Sequence, residues 1–116
     1  MIQRVGVVGA GVMGMGIANS AARGGFKETI RDIDPAREQL ARDTGLEVAG
    51  SAAAIGSRCD ALFIVVVDAG QIDAVLAGPQ GLLPALSPGK LVLLCSTISP
   101  VDSARFAAAI RATGAA

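Results

Sequence analysis

Gly9, Gly11, Gly14 and Asp32 are the residues of this 116-residue chain whose types and spacing suggest chemistry. The glycines occupy the first, third and sixth places of Gly9-Ala10-Gly11-Val12-Met13-Gly14, directly after the apolar pair Val7-Val8. In a strand–turn–helix unit, Gly9 permits the tight turn, Gly11 lets backbone approach a pyrophosphate, and Gly14 lets the new helix lie close to the sheet. The backbone N–H groups that open a helix lack intrahelical partners and sit at the positive end of its dipole, so an anion there gains hydrogen bonds without a cationic side chain. Asp32 follows Gly14 by 18 residues, close to the spacing at which an acid meets an adenosine ribose. Its ionised carboxylate accepts hydrogen bonds from both ribose hydroxyls and repels a 2′-phosphate, which favours NAD over NADP. The pattern also admits a glycine turn with no ligand, and for Asp32 a solvated loop carboxylate or a helix cap.

Several chemistries are disfavoured. The chain has no histidine, which removes the commonest general base and metal ligand, so no metal site is expected. Cys59 and Cys95 lie far apart without C-x-x-C spacing and read as buried thiols in a reducing compartment. Ten basic and ten acidic residues cancel, leaving no basic field for nucleic acid. Met1 leads directly into Ile2-Gln3-Arg4-Val5 with no apolar h-region, and the densest apolar run, Ala61 to Val67, is too short to span a bilayer. The expectation is a soluble cytoplasmic protein.

The elements that must position the glycines and Asp32 follow from the apolar pattern. Apolar residues form 52% of the chain and aromatics only 3%, so the core must be built of Ala, Val, Leu and Ile, as in an α/β domain with buried parallel strands. A first strand is expected over residues 2–8, with Gly6 tolerated where another backbone packs closely, then a helix from Val12 to about Arg23 stopped by Gly24-Gly25. A second strand at 29–32 is unusually polar for its place. Asp34-Pro35 reads as an N-cap and N1 pair opening a helix to about Asp43. A short strand near 47–49 and a helix starting at Ser51 come next. Residues 61–67 form the clearest strand, apolar without alternation, which places it at the sheet centre. Asp68-Ala69-Gly70-Gln71 is expected as the loop leaving it, followed by a helix through Leu76 and a short helical piece at 82–86. A fifth strand over 90–95 precedes a last helix to about Ala112, with Ser99, Pro100 and Asp102 as its capping signals.

Gly9-Ala10-Gly11-Val12-Met13-Gly14-Met15-Gly16-Ile17-Ala18-Asn19, together with Cys95-Ser96-Thr97-Ile98-Ser99-Pro100 about 85 residues later, resembles the NAD-binding domain of the β-hydroxyacid dehydrogenases. That family includes 3-hydroxyisobutyrate dehydrogenase, tartronate semialdehyde reductase and 6-phosphogluconate dehydrogenase. The stretch from Val65 to Gly78 looks most like the L-threonate dehydrogenase branch. The resemblance covers essentially the whole chain and implies a doubly wound, Rossmann-type parallel sheet of about five strands, one fewer than a six-strand sheet. It implies that Gly9, Ala10, Gly11, Val12, Met13 and Gly14 surround the pyrophosphate and that Asp32, with Ile33, holds the adenosine ribose. Val66, Val67 and Gln71 would lie on the adenine and ribose side, Thr97 near the nicotinamide ribose, and Ser96 at the edge of the substrate pocket. Ser96 and Thr97 also admit a reading as strand-end and helix-entry hydrogen-bonding residues.

In the family, the glycine-rich substrate motif, the catalytic lysine and the helical domain that completes active site and dimer all come after the part matched here. Lys27 and Lys90, the only lysines, match neither. The expectation is therefore the cofactor-binding part of an NAD-dependent oxidoreductase acting on a small hydroxyacid, inactive by itself, with a homo-oligomer expected for the longer enzyme. A stand-alone dinucleotide-binding or sensing module is the main alternative. A methyltransferase fits less well, because Met13 stands where its third glycine would fall.

Overall fold

The computed structural model describes residues 2–116. Five strands form one parallel sheet: β1 (Arg4–Val8), β2 (Lys27–Arg31), β3 (Glu47–Val48), β4 (Ala61–Ile64) and β5 (Leu91–Leu94), in the order β3-β2-β1-β4-β5. The five helices are α1 (Val12–Arg23), α2 (Pro35–Asp43), α3 (Ala52–Arg58), α4 (Ala69–Ala77) and α5 (Pro100–Arg111), with a short 3₁₀ turn at Leu83–Ala85. No helix among the described residues is long and apolar enough to cross a membrane.

Parallel strands need crossover connections, and the helices lie on both faces of the sheet. On one face, Val7 and Ile30 pack with Ala18 of α1 and Ala41 of α2. On the other, Val8, Leu62 and Ile64 pack with Ile55 of α3, Ile72 and Leu76 of α4, and Phe106 and Ile110 of α5. Each fully buried Leu or Ile contributes about 1.5–3 kcal/mol, so this second, larger cluster holds most of the core. Arg105 of α5 reaches Asp73 of α4 at 2.8 Å and ties those two helices together at the surface.

Several expectations need correction. The centre of the sheet is β1, flanked by β2 and β4, rather than the apolar run at 61–67. That run stops pairing at Ile64, and Val67 is exposed, because the chain leaves the sheet there to line a groove. Asp68 is the N-cap of α4, its carboxylate accepting from the Gln71 amide at 2.9 Å, so residues 69–71 are helix rather than loop. The first strand starts at Arg4, and its beginning is fixed by Asp60, whose carboxylate accepts from the amides of Gln3 and Arg4 at 2.9 and 3.0 Å. Gly6 makes room for the side chains of Ile55 and Cys59 rather than for backbone: a Cβ there would lie 2.3 Å from the Ile55 Cγ2. The polar second strand runs over 27–31 and pairs on both sides, with Glu28 buried inside it.

Candidate functional site

The site forms where the chain departs in opposite directions from neighbouring strands. β1 leads through α1 towards β2 and β3, while β4 leads through α4 towards β5, so a crevice opens between the carboxyl ends of β1 and β4. Its first wall is the turn after β1. Gly9 has φ +106°, and a Cβ there would lie 2.0 Å from the Val65 carbonyl oxygen. A Cβ on Gly14 would lie 1.7 Å from the Gly9 carbonyl oxygen. Both positions exclude any other residue on steric grounds. Gly11 differs: its nearest obstacle would be Arg37 Nη1 at 3.9 Å, so the space beside its backbone is open to a ligand.

The start of α1 has no side-chain cap, and its first intrahelical bond runs from the Met15 amide to the Gly11 carbonyl at 2.9 Å. The amides of Val12, Met13 and Gly14 therefore have no earlier turn to bond to. The other four α-helices are each capped by a side chain, from Asp34, Ser51, Asp68 and Ser99. The uncapped start of α1 thus has donors and a positive dipole end available for an anion.

Asp32, just beyond β2, is the second wall and is only 6% exposed. One carboxylate oxygen accepts from the Ala10 amide at 2.6 Å, and the other from the Asp34 amide at 2.8 Å. Arg37 Nη1 lies 3.7 Å from the first of these oxygens. A carboxylate has about four lone-pair sites, so two backbone bonds leave acceptor capacity for hydroxyl groups. The same side chain fixes the glycine turn to the end of β2 and the entry to α2.

The third wall comes from the ends of β4 and β5. Val66 and Val67 run along the groove, and the Val67 amide donates to the Gln71 side-chain oxygen at 2.8 Å, which orients the Gln71 side chain. The Ser96 hydroxyl donates to the Val66 carbonyl and clips the two strand ends together. Exposed Thr97 completes that rim. Together these walls enclose a groove of about 490 Å³, within the range of small-molecule and cofactor sites.

Gly9, Gly11, Val12, Met13, Gly14, Asp32, Ile33, Val66, Val67, Gln71, Ser96 and Thr97 all line this one groove. Ala10 does not: it is buried, and its amide is occupied by Asp32. Arg31, Arg37, Val75 and Cys95 also line the groove and are absent from the sequence-derived set. A signal for two of them exists. Arg37 sits in the first turn of the helix opened by Asp34-Pro35, and Val75 follows Gln71 by one helical turn, on the same face. Burial pushes the Cys95 thiol pKa upward, so it stays protonated and is a poor nucleophile. Among the described residues no group of three metal-ligating side chains is present. The arrangement is suited to holding a phosphorylated diol ligand, with an anion at α1 and hydroxyls at Asp32.

Residues 4–116 match the family described as the NAD binding domain of 6-phosphogluconate dehydrogenase. The chain is 42% identical over 100 residues to L-threonate dehydrogenase of Cupriavidus necator, covering 86% of this chain and 34% of that protein. A crystal structure of 3-hydroxyisobutyrate dehydrogenase from Salmonella typhimurium superposes with a TM-score of 0.89 at 37% identity, covering 97% of this chain and 39% of that one. An imine reductase from Myxococcus stipitatus in complex with NADP+ shares the fold, with a TM-score of 0.86 at 22% identity over 97% of this chain and 38% of that one. The chain thus spans between a third and two fifths of the length of these proteins.

Proposed function

The chain belongs to the family of the NAD-binding domain of 6-phosphogluconate dehydrogenase, and on that premise we propose that it is the cofactor-holding part of an NAD-dependent oxidoreductase. The reaction is hydride transfer between a small β-hydroxyacid and its oxoacid, with L-threonate-like acids the leading substrate class by similarity. The observation that carries the reading is the pairing, across one groove, of an uncapped helix start with a buried carboxylate at the end of the neighbouring strand.

The bound dinucleotide would supply the hydride chemistry. The chain's own residues bind and orient. The amides of Val12, Met13 and Gly14 would hold the pyrophosphate, and Asp32 with Ile33 the adenosine ribose. Val66, Val67 and Gln71 would shape the adenine side, Thr97 would meet the nicotinamide ribose, and Ser96 would border the substrate. The buried Asp32 carboxylate opposes a 2′-phosphate, which favours NAD over NADP, while Arg31 and Arg37 at the same mouth reduce the margin. In this reading no groove residue is assigned to proton transfer. Lys90 donates to the carbonyls of Gly56, Ser57 and Cys59 at the opposite end of the sheet, and Lys27 opens β2 away from the groove. Catalysis is therefore assigned to a longer form of the protein, which would also bring the oligomer. Its setting is reducing and cytoplasmic, in keeping with two cysteines that are both free thiols.

The test is a fluorescence titration of the chain with NADH and NADPH, with circular dichroism to establish that the fold is intact. Saturable NADH binding, tighter than NADPH, is expected. A folded chain that binds neither at millimolar concentration would overturn the reading. A second reading is a non-catalytic dinucleotide sensor, which the same groove would serve. Turnover of β-hydroxyacids by a longer form of the protein would exclude it.

A further inference from the structure

Glu28 is the second residue of β2, with 5% of its surface exposed, and neither carboxylate oxygen has a hydrogen-bond partner. It sits in register with Val5 of β1 and shares a sheet face with Ile30, the face that α1 and α2 cover. The charged side chains of the surrounding elements do not compensate it. Arg4 on β1, Arg23 on α1, Arg42 and Asp43 on α2, and Glu47 on β3 are all exposed. On α2, Arg37 is turned towards Asp32 and Asp34, and Glu38 pairs with Arg31. Through the sheet, the buried Cys59 is the titratable group that senses the Glu28 charge. An ionised carboxylate in such a place loses its hydration without gaining a partner, and burial pushes the Glu28 pKa up to about 7.

The strand that carries it is weakly held on one side. β2 pairs with β1 along its whole length, but with β3 only at Thr29 and Ile30. Lys27 and Glu28 therefore have a ladder partner on the β1 side alone. The other end of the same strand leads straight to Asp32, whose carboxylate holds the Ala10 amide in the glycine turn.

We propose that Glu28 makes β2 a proton-dependent strand, seated when the carboxyl is protonated and peeling from β1 at its N-terminal half when the carboxyl ionises, which loosens the hold of Asp32 on the glycine turn. Ionisation requires water at the carboxylate, and outward movement of the residues without a β3 partner is the shortest route to it. The proton leaves to solvent and no other group changes state. The link to dinucleotide binding rests on the function proposed above; the movement of β2 does not.

The experiment is amide hydrogen exchange of the chain from pH 4.5 to 9, corrected for intrinsic exchange rates and read at Lys27 and Thr29, the amides of that half that face β1. Protection should fall by about tenfold per pH unit between pH 4.5 and about 7 and level off above it, because in that window each opening event releases one proton. Glu28→Gln should remove that slope. Glu28→Val, which places an apolar side chain in the strand, serves the same purpose if the glutamine variant folds poorly. Saturating NADH should restore protection of the wild type at pH 8.5. A wild-type profile flat in pH, the same slope in a folded Glu28 variant, or a carboxyl carbon signal titrating in the ordinary glutamate range would each overturn the proposal. NADH that binds without restoring protection would refute the coupling to the site. A failure of NADH to bind at any pH would count against the proposed function and leave the slope to decide on β2.

Discussion

Replacing Asp32 with Ala should destabilise the fold as well as weaken ligand binding, and the two effects can be measured separately. The carboxylate accepts from the Ala10 amide at 2.6 Å and the Asp34 amide at 2.8 Å. Ala10 is 3% exposed, so its amide cannot turn to water when the acceptor is removed; leaving a buried donor unpaired costs about 1–3 kcal/mol. Asp34 is exposed, and its amide can bond water at little cost. The Arg37 contact, at 3.7 Å from a half-exposed guanidinium, contributes less than about 1 kcal/mol. Altogether about 2 kcal/mol of stability is lost, a drop in Tm on the order of 10 °C for a chain of this size. Asp32→Asn should do no better than Ala. The amide has one acceptor oxygen, and whichever backbone N–H faces its NH2 group meets a second donor. Thermal melts without ligand give the stability effect, and NADH titration at a temperature where each variant is folded gives the binding effect. An Asp32→Ala melt within a degree or two of the wild type would refute the claim that this side chain holds the glycine turn.

Other substitutions test the remaining walls. Gly14→Ala places a Cβ 1.7 Å from the Gly9 carbonyl oxygen and should cost more than about 3 kcal/mol or abolish folding, whereas Gly16→Ala, with nothing within 4 Å of its Cβ, should stabilise α1 by about 0.5–1 kcal/mol; denaturant melts distinguish the two. Arg37→Glu should weaken NADPH binding several-fold more than NADH binding, and a change equal for both cofactors would remove Arg37 from the ribose end of the groove. Lys90→Met should lower stability by about 1–2 kcal/mol, because the ammonium group bonds the last carbonyls of α3 and answers its dipole. Glu28 binds more protons in the folded chain than in the unfolded one between pH 4.5 and about 7. Stability should therefore decline across that window and stay low above it, by about 3 kcal/mol in total, and calorimetry on Glu28→Gln should show the decline gone.

Much of this architecture was legible in advance because the relevant signals are local. The Asp34-Pro35 and Ser99-Pro100 pairs set the starts of α2 and α5, and the glycine spacing set the turn before α1. What escaped were features decided by distant partners. Nothing in the run from Ala61 to Val67 says that pairing ends at Ile64, since that depends on where β1 and β5 stop. The apolar character of the run suggested the centre of the sheet, yet the centre goes to β1 by topology, and β1 contains a glycine that α3 side chains fill. Asp68 looked like loop chemistry because a capping aspartate and a loop aspartate are the same residue until the helix behind it is seen. The second strand is the opposite case: it reads as unusually polar for its place, yet it pairs on both sides with Glu28 buried inside it.

The different starts of the helices have a consequence for how the chain reports on its own occupancy. Four of them carry a side chain that already bonds an amide of the first turn. Only α1 leaves that position vacant among the described helices. Whatever anion settles there serves as its missing cap, and the signal of binding is then concentrated in Val12, Met13 and Gly14. Those three amides form a built-in gauge, readable by magnetic resonance without a label or a coupled enzyme.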